Sequence, residues 1–166
     1  MKKRQNITII TAAQGGGKTT SMQKMVVEAQ KDGKKIGGFF APGSWKNGRR
    51  HSFELVDLQS REHFPFASRE KREEWEYIHS FYFNPQTIQK GQDILRTQAE
   101  NSDILFIDEI GKFDIKGKLW GSILTELLNK DIELVLCVRD VFVEDVITHF
   151  GIKNPLILST KGQSSE

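Results

Sequence analysis

The sequence predicts an α/β fold, in which a mostly parallel, twisted sheet is flanked by helices and carries an inserted antiparallel β-hairpin region. Three observations predict it. A β-branched apolar run at residues 7–11 leads through a glycine-rich turn into a helical pattern, which is how a parallel-sheet unit begins. A second uninterrupted apolar run occupies residues 104–107. Between the two runs, the pattern changes to short alternating segments that are typical of antiparallel strands.

The first unit consists of a strand, a helix and a second strand. Residues 7–11 are the buried strand, and residues 19–31 have the pattern of a helix. Residues 35–41 resume as a strand, which ends at Pro42 because proline has no N–H group to donate to a sheet. This strand-helix-strand order is that of an α/β fold.

The inserted β-rich region spans about residues 43–84. Residues 50–58 alternate between two faces, as a half-buried antiparallel strand does, and residues 62–67 are its predicted partner. Asn47-Gly48 supplies the positive φ angles of a tight turn, so it predicts a hairpin tip. Residues 76–83 alternate again and predict one more strand.

The last third of the chain returns to alternating helices and strands. Pro85 suits the first turn of a helix that continues to about residue 101. The remaining segments are strands at residues 104–107, 133–138 and 155–158 and helices at residues 118–129 and 143–150. We expect one compact domain over residues 1–166, with a polar, loose tail from about residue 161.

The turn after the first strand has the composition of a phosphate-binding loop. Its three consecutive glycines let the backbone turn tightly and point several N–H groups into one concavity, where the helix N-terminus adds partial positive charge. The predicted nucleotide-binding residues are Ala12, Ala13, Gln14, Gly15, Gly16, Gly17, Lys18, Thr19 and Thr20. Lys18 would reach the β- and γ-phosphates, and Thr19 would bind Mg²⁺ through its hydroxyl group. The strict motif begins with glycine, whereas this loop begins with Ala12.

Two carboxylates follow the apolar run at residues 104–107. Because ligands gather at the carboxyl ends of strands in a parallel sheet, we expect Asp108 and Glu109 at the same sheet edge as the glycine-rich loop. Asp108 would hold the magnesium ion opposite Thr19, and Glu109 would orient or deprotonate the attacking water or hydroxyl group. The pair alone could equally cap the next segment, but the loop favours the functional interpretation.

A further cation near the γ-phosphate would increase the rate of phosphoryl transfer. Arg139 is the preferred candidate because it follows a core strand at the ligand edge, with a structural pairing to a neighbouring carboxylate as an equal alternative. Arg49 and Arg50 are the other candidates, although an exposed turn is the more common role at a hairpin tip. The predicted catalytic residues are therefore Lys18, Glu109 and Arg139.

The composition argues against several classes of partner. Twenty-four basic and 22 acidic residues leave a net charge of +2, which is too balanced to favour nucleic acid or an anionic membrane. No segment has membrane-spanning length, and the basic start at residues 1–4 is not followed by a continuous apolar stretch. Cys137 has no second cysteine to pair with, so we expect a small core residue in a cytoplasmic protein.

With these motifs, the chain resembles the THEP1-type nucleoside-triphosphatases, a family of small single-domain P-loop NTPases. The motifs that carry the resemblance occur in order along nearly the whole chain: the loop at residues 12–20, Gly37-Gly38-Phe39-Phe40-Ala41-Pro42, Gly48-Arg49-Arg50, the strand at residues 53–58, Ile107-Asp108-Glu109-Ile110-Gly111 and the strand that reaches Arg139. The glycine-rich loop is shared with many unrelated enzymes, so the other motifs are more specific. Where the family usually continues the acidic motif with Met-Glu, this chain has Phe113 and Asp114.

The resemblance implies magnesium-dependent hydrolysis of ATP, GTP and other triphosphates to diphosphate and phosphate. Two alternatives stay open. A P-loop kinase would pass the γ-phosphoryl group to a small acceptor, although the chain is short of arginines in a mobile lid. A nucleotide-dependent regulatory module would rely on a partner protein for its missing cation. The expected ligands are nucleoside triphosphates and Mg²⁺. A protein partner and the oligomeric state stay open, with a monomer as the working expectation.

Overall fold

The computed structural model describes residues 6–13 and 15–160. The predictions for Gln14 and for the tail from residue 161 therefore lie outside the described residues. The strands are β1 Ile7–Ala12, β2 Ile36–Phe40, β3 Gly43–Lys46, β4 Arg49–Asp57, β5 His63–Ser68, β6 Glu76–Ile78, β7 Phe81–Phe83, β8 Ile104–Ile110, β9 Glu133–Arg139 and β10 Leu156–Ser159. The helices are α1 Lys18–Lys31, α2 Pro85–Ala99, α3 Lys112–Ile115, α4 Gly121–Leu127 and α5 Val143–Phe150, with a 3-10 turn at Asp140–Phe142. Among these described residues, no helix is both long and apolar enough to cross a lipid bilayer.

The strands form one sheet in the order β10-β1-β9-β8-β2-β4-β5-β7-β6, with β3 paired to β4. The strands from β10 to β2 are parallel to their neighbours. The pairs from β2 onward, including the hairpin of β3 and β4, are antiparallel. The predicted α/β fold with a parallel central sheet and an inserted antiparallel region is thus confirmed. Because β9 lies between β1 and β8, the ends of these two strands lie about 10 Å apart on the same edge.

Helices cover both faces of the parallel part of the sheet. Helix α1 covers one face, where Met22 packs with Ile10, Phe106 and Cys137 in one buried cluster. Helices α2 and α4 cover the other face, around the fully buried ring of Trp120. Parallel strands that are buried on both faces need apolar residues at successive positions, which explains the uninterrupted apolar runs in the sequence.

The segment at residues 76–83 differs from its prediction. The sequence predicts one strand here, whereas the structure divides the segment into the antiparallel pair β6 and β7. The chain reverses at His79, which has a φ angle of 57° in the left-handed region. The alternation of side chains continues across this turn, so the period of two gives no sign of the reversal.

The helix predicted at residues 118–129 is shorter in the structure, because α4 begins at Gly121. Leu119 has a φ angle of 51°, which no helical residue adopts. A Cβ atom on Gly121 would lie only 2.1 Å from the carbonyl oxygen of Asp114 in the preceding short helix α3. The start of α4 is therefore set by its contact with α3, a helix that the sequence analysis did not predict.

Asp114 holds this part of the backbone together. Its carboxylate accepts hydrogen bonds from the N–H groups of Gly111 at 2.8 Å and Trp120 at 2.9 Å. The side chain is buried, and burial raises the pKa of Asp114 to about 7. At the position where the family usually has glutamate, this chain thus uses the shorter acid to connect the end of the acidic motif to the start of α4.

Candidate active site

The loop between β1 and α1 has a backbone geometry suited to an anion. Gly15 and Gly17 have φ angles of 77° and 84°, in the left-handed region that glycine tolerates. Gly17 caps α1, so the free N–H groups of the first helical turn lie at the loop. Such N–H groups, together with the positive end of the helix dipole, favour phosphate oxygens as ligands.

Close packing in the loop explains how Ala12 occupies the first position of the motif. A Cβ atom on Gly16 would lie 2.6 Å from the Ala12 methyl carbon and 2.8 Å from the Ala13 carbonyl oxygen. The Gly16 N–H group donates to the same carbonyl oxygen at 2.9 Å. The Ala12 methyl group is therefore accommodated because Gly16 has no side chain, and the loop keeps its tight turn.

Lys18 and Thr19 lie in the first turn of α1, next to the loop. Lys18 is 5% exposed, and its ammonium group lies 3.5 Å from the Ala13 carbonyl oxygen. The Thr19 hydroxyl group donates to Asp108 Oδ2 at 2.9 Å, although the two residues are 89 positions apart. The structure therefore brings the glycine-rich loop and the acidic motif together at one edge of the sheet.

A β-bulge at the end of β8 gives Asp108 and Glu109 different surroundings. The register between β8 and β9 shifts at this pair, and Glu109 has a φ angle of 59°. Asp108 is fully buried, and its carboxylate accepts hydrogen bonds from the Thr19 hydroxyl and from the N–H groups of Ala41 and Glu109. A left-handed backbone at a residue other than glycine costs on the order of 1–3 kcal/mol and is typical of functional sites.

Glu109 faces the open side of the site. Its side chain is 34% exposed, and burial of the carboxyl group, together with the charge of Asp108, raises the pKa of Glu109 to about 7. The cations Lys18, Arg50 and Arg139 act in the opposite direction on this pKa. A carboxylate that exchanges its proton near neutral pH is suited to general-base catalysis.

Arg50 reaches the loop from β4, although the sequence favoured Arg139. Its guanidinium group lies 3.8 Å from Glu109 Oε1, and the guanidinium carbon lies 5.3 and 5.1 Å from the ring centroids of Trp45 and Phe53. The side chain is 12% exposed, and its Nε atom has no hydrogen-bond partner among the described residues. A buried N–H group of this kind is available to an oxygen atom of a bound phosphate.

Arg139 lies at the end of β9 and lines a different cavity from the one that Arg50 lines. It is exposed, and its guanidinium carbon lies 5.8 Å from the centroid of the Phe142 ring. Both Arg139 and Glu109 line a cavity next to the loop. Arg49 is exposed at the hairpin turn. Because neighbouring residues of a strand point to opposite faces, the pair Arg49 and Arg50 contained the signal that one of them faces inward.

Thr160 makes a contact with the loop that sequence reasoning missed. It follows the edge strand β10, and its hydroxyl group donates to the Gly16 carbonyl oxygen at 2.7 Å. Its N–H group donates to the Thr11 carbonyl oxygen at 2.8 Å. No local pattern marks Thr160, since its side-chain partner is 144 positions away along the chain.

Thr19 and Asp108 offer the hard oxygen atoms that Mg²⁺ prefers. Thr19 Oγ1 and Asp108 Oδ2 lie 2.9 Å apart, beside the loop. Within residues 6–13 and 15–160, no group of three or more His, Cys, Asp and Glu side chains could hold a metal ion by itself. Magnesium is commonly bound by one or two protein oxygens plus phosphates and water. The donor set therefore fits a magnesium ion that arrives with a nucleotide.

Comparisons with known proteins agree with this geometry. The model of the family described as NTPase matches residues 7–154. The nucleoside-triphosphatase THEP1 of Saccharolobus solfataricus is 26% identical over 126 residues, which cover 76% of this chain and 71% of that protein. The nucleoside-triphosphatase THEP1 of Methanosarcina barkeri is 29% identical over 124 residues, which cover 74% of this chain and 70% of that protein.

Two solved structures share the fold. THEP1 from the hyperthermophile Aquifex aeolicus matches with a TM-score of 0.70 at 20% identity, over 96% of this chain and 92% of that one. A human cancer-related nucleoside triphosphatase matches with a TM-score of 0.69 at 19% identity, over 93% and 88% of the two chains. At these identities the likeness shows the fold alone. Since the family model spans most of the sequence, however, the chain belongs to the NTPase family and is an enzyme of that family, as its motifs predict.

Proposed function

We propose that this protein hydrolyses nucleoside triphosphates, ATP and GTP among them, to the diphosphate and phosphate in a magnesium-dependent reaction. The observation that carries the proposal is the 2.9 Å hydrogen bond between Thr19 and Asp108, beside the glycine-rich loop. Through this contact, the glycine-rich loop, which would bind phosphate, lies next to two oxygen donors for a metal ion. The base Glu109 is the residue that follows Asp108. The names of the THEP1 relatives support the same reaction.

The loop and Lys18 would bind the β- and γ-phosphates. Gly15, Gly16, Gly17 and Lys18 line one side of the space that lies between the loop and the hairpin of β3 and β4. Hydrogen bonds hold the loop backbone, such as the one from the Thr160 hydroxyl to the Gly16 carbonyl oxygen, so the loop N–H groups would stabilise phosphoryl charge with little reorganisation. Lys18 is almost fully buried, and its charge therefore acts where water screens it little.

Thr19 and Asp108 would hold the magnesium ion through their side-chain oxygen atoms. When bound, the ion neutralises negative charge on the β- and γ-phosphates. Asp108 orients the Thr19 hydroxyl group by accepting a hydrogen bond from it. The N–H groups of Ala41 and Glu109 in turn fix the Asp108 carboxylate, each with one hydrogen bond. The fold thus sets the positions of both oxygen donors.

Glu109 would orient the attacking water and accept its proton. The water oxygen forms a bond to the γ-phosphorus while the bond between that phosphorus and the β–γ bridging oxygen breaks, and the nucleoside diphosphate leaves. The bulge in β8 directs Glu109 into the same space that Lys18 lines. A base in this position can act on a nucleophile next to the bound γ-phosphate.

Arg50 and Arg139 would stabilise the charge that the phosphoryl group carries during transfer. Arg50 lines the same space as the loop, and its Nε–H group lacks an acceptor among the described residues. Arg139, the candidate favoured by the sequence, adjoins Glu109 from the neighbouring cavity. We therefore assign Arg50 to the γ-phosphate oxygens and retain Arg139 as a second cation beside Glu109.

Three variants test the proposal. Glu109→Gln should keep nucleotide affinity but lose about 10²–10⁴-fold in turnover, because the amide keeps the shape and cannot accept a proton. Lys18→Ala should abolish triphosphate binding or turnover. Glu133→Gln is the matched control, since Glu133 begins β9 at the end remote from the site and pairs there with Lys34 at 3.2 Å. Its rate should equal that of the unmodified protein.

The measurement is the release of phosphate from ATP and GTP, with magnesium and with a chelator in its place, together with the affinity for a fluorescent triphosphate analogue. Unchanged turnover in Lys18→Ala would count decisively against the proposal. Equal losses of affinity and rate in Glu109→Gln would make Glu109 a structural or metal-binding residue rather than the base. Full activity without a divalent cation would refute the roles of Thr19 and Asp108.

A further inference from the structure

A second cavity adjoins the proposed catalytic base. Its volume is about 180 Å³, which leaves room for roughly ten water molecules. Lys18 and Glu109 line both this cavity and the space between the loop and the β3–β4 hairpin. A group bound in the cavity would therefore lie next to the base and next to the ammonium group that faces the phosphates. Hydrolysis alone requires one water molecule there, not a cavity of this size.

The walls of the cavity are aromatic. Six phenylalanines from five elements line it: Phe53, Phe66, Phe81, Phe83, Phe113 and Phe142. Three pairs of these rings pack edge to face, among them Phe53 with Phe81 at 5.5 Å and Phe83 with Phe113 at 5.8 Å between ring centroids. Ring edges and faces of this kind favour a flat aromatic guest. Sites with apolar walls and a few polar groups are typical of small-molecule binding.

The cavity is lined by two acids, and only one of them has its carboxylate held by backbone N–H groups. Asp114 lines the cavity, but its carboxylate oxygens accept the N–H groups of Gly111 and Trp120. Glu109 is the other lining carboxylate, and its side chain is 34% exposed. Lys112 also lines the cavity, with its ammonium group 5.3 Å from the centroid of the Phe113 ring. It adds positive charge near the place where a phosphorylated product would form.

We propose that this cavity binds a phosphoryl acceptor, a small alcohol with a flat aromatic or heteroaromatic body, and that the protein transfers the γ-phosphoryl group to its hydroxyl oxygen. The inference rests on the proposed function, because the same loop must bind the nucleotide. The acceptor oxygen forms a bond to the γ-phosphorus while the bond from that phosphorus to the β–γ bridging oxygen breaks. Glu109 takes the hydroxyl proton and releases it to solvent, and the products are a phosphate ester and a nucleoside diphosphate.

The test supplies the full-length protein with magnesium, ATP and one alcohol at a time. The aromatic probes are benzyl alcohol, 3-pyridinemethanol and guanosine, and glycerol is the aliphatic control. Phosphorus NMR separates a phosphate ester from inorganic phosphate in the same sample. We expect an ester from at least one aromatic probe, at a ratio of ester to inorganic phosphate at least tenfold above that with glycerol.

Variants assign the transfer to the cavity. Phe81→Ala removes part of the wall and should lower the ratio of ester to inorganic phosphate at least tenfold. Ser80→Trp should lower it as well, because Ser80 lies at an exposed turn of the lining, where a larger side chain can block the cavity without disturbing the core. Tyr77→Ala is the matched control, since Tyr77 belongs to the same β6–β7 hairpin but is 61% exposed and outside the lining. Its ratio should not change.

Each outcome decides between the proposals. Inorganic phosphate without ester from all three aromatic probes would overturn the acceptor proposal and leave hydrolysis standing. Ester formation that Phe81→Ala and Ser80→Trp leave unchanged would overturn the assignment to this cavity. A protein that transfers phosphate neither to water nor to an alcohol would overturn the proposed function, and the acceptor with it.

Discussion

Replacing Gly16 by alanine should disable the phosphate-binding loop while leaving the fold intact. The new Cβ atom would lie 2.6 Å from the Ala12 methyl carbon and 2.8 Å from the Ala13 carbonyl oxygen. Ordinary contacts begin at 3.4 Å, so the loop must open by about 0.6–0.8 Å to admit the methyl group. The movement displaces the N–H groups that would contact the phosphates.

The size of the effect follows from this displacement. A misplacement of about 1 Å in a reacting group can cost on the order of 10²-fold in rate. We therefore expect Gly16→Ala to lose about 10²-fold in kcat/KM, equivalent to about 3 kcal/mol of transition-state stabilisation. The double variant Ala12→Gly with Gly16→Ala removes the closest contact but keeps the one to the Ala13 carbonyl. It should recover about tenfold of the lost activity.

The assay is phosphate release from ATP over a range of concentrations, with far-UV circular dichroism and thermal unfolding as tests of the fold. Gly33→Ala is the matched control, because Gly33 has a φ angle of 78°, lies beyond the end of α1 and has open space around its Cβ position. It should cost about 1 kcal/mol in the free energy of unfolding without affecting kcat/KM. Unchanged kinetics in Gly16→Ala, or no recovery in the double variant, would refute the steric reasoning.

Two further predictions concern the support of the site. Thr160→Val should weaken ATP binding about threefold to tenfold, because the Gly16 carbonyl loses the hydroxyl group that lies 2.7 Å away. Thr160→Ser should bind normally, and equal affinities of the valine and serine variants would contradict the role. For Asp114, the pKa in the folded protein is raised to about 7 from an ordinary 3.8, so the native state holds this proton more tightly than the unfolded chain. The resulting stability is fully present below pH 3.8 and is lost as the pH rises through about 7. The free energy of unfolding from urea titrations should therefore fall between about pH 4 and pH 7 more steeply for the unmodified protein than for Asp114→Asn, and parallel pH profiles would contradict this.

The parts of the site that depend on local patterns could be predicted from the sequence. A strand, a glycine-rich turn and a helix in succession predicted the loop, and the loop fixed the places of Lys18 and Thr19 because both follow it directly. Likewise, Asp108 and Glu109 could be placed at the ligand edge because they end a continuous apolar strand. These inferences need only the periodicity of apolar residues along the sequence and the common direction of parallel strands.

Sequence patterns are weaker predictors where one pattern allows two structures. The alternation at residues 76–83 fits both a single strand and a hairpin, since a turn can preserve the phase of the side chains. Arg49 and Arg50 occupy adjacent positions at a hairpin tip, and only the pairing of β4 with its neighbours decides which one faces the loop. Position along the chain favours Arg139, because it follows a core strand, whereas Arg49 and Arg50 lie at a hairpin tip.

By itself, then, the sequence determined the α/β class, the anion-binding loop and the acidic pair, because each is encoded within a few consecutive residues. Only the tertiary structure decided that Thr160 supports Gly16, that Arg50 lies beside Glu109 and that six phenylalanines line a cavity next to the base. Those contacts join residues from separate elements, and their geometry depends on strand order, a β-bulge and close packing. No short stretch of sequence carries that information.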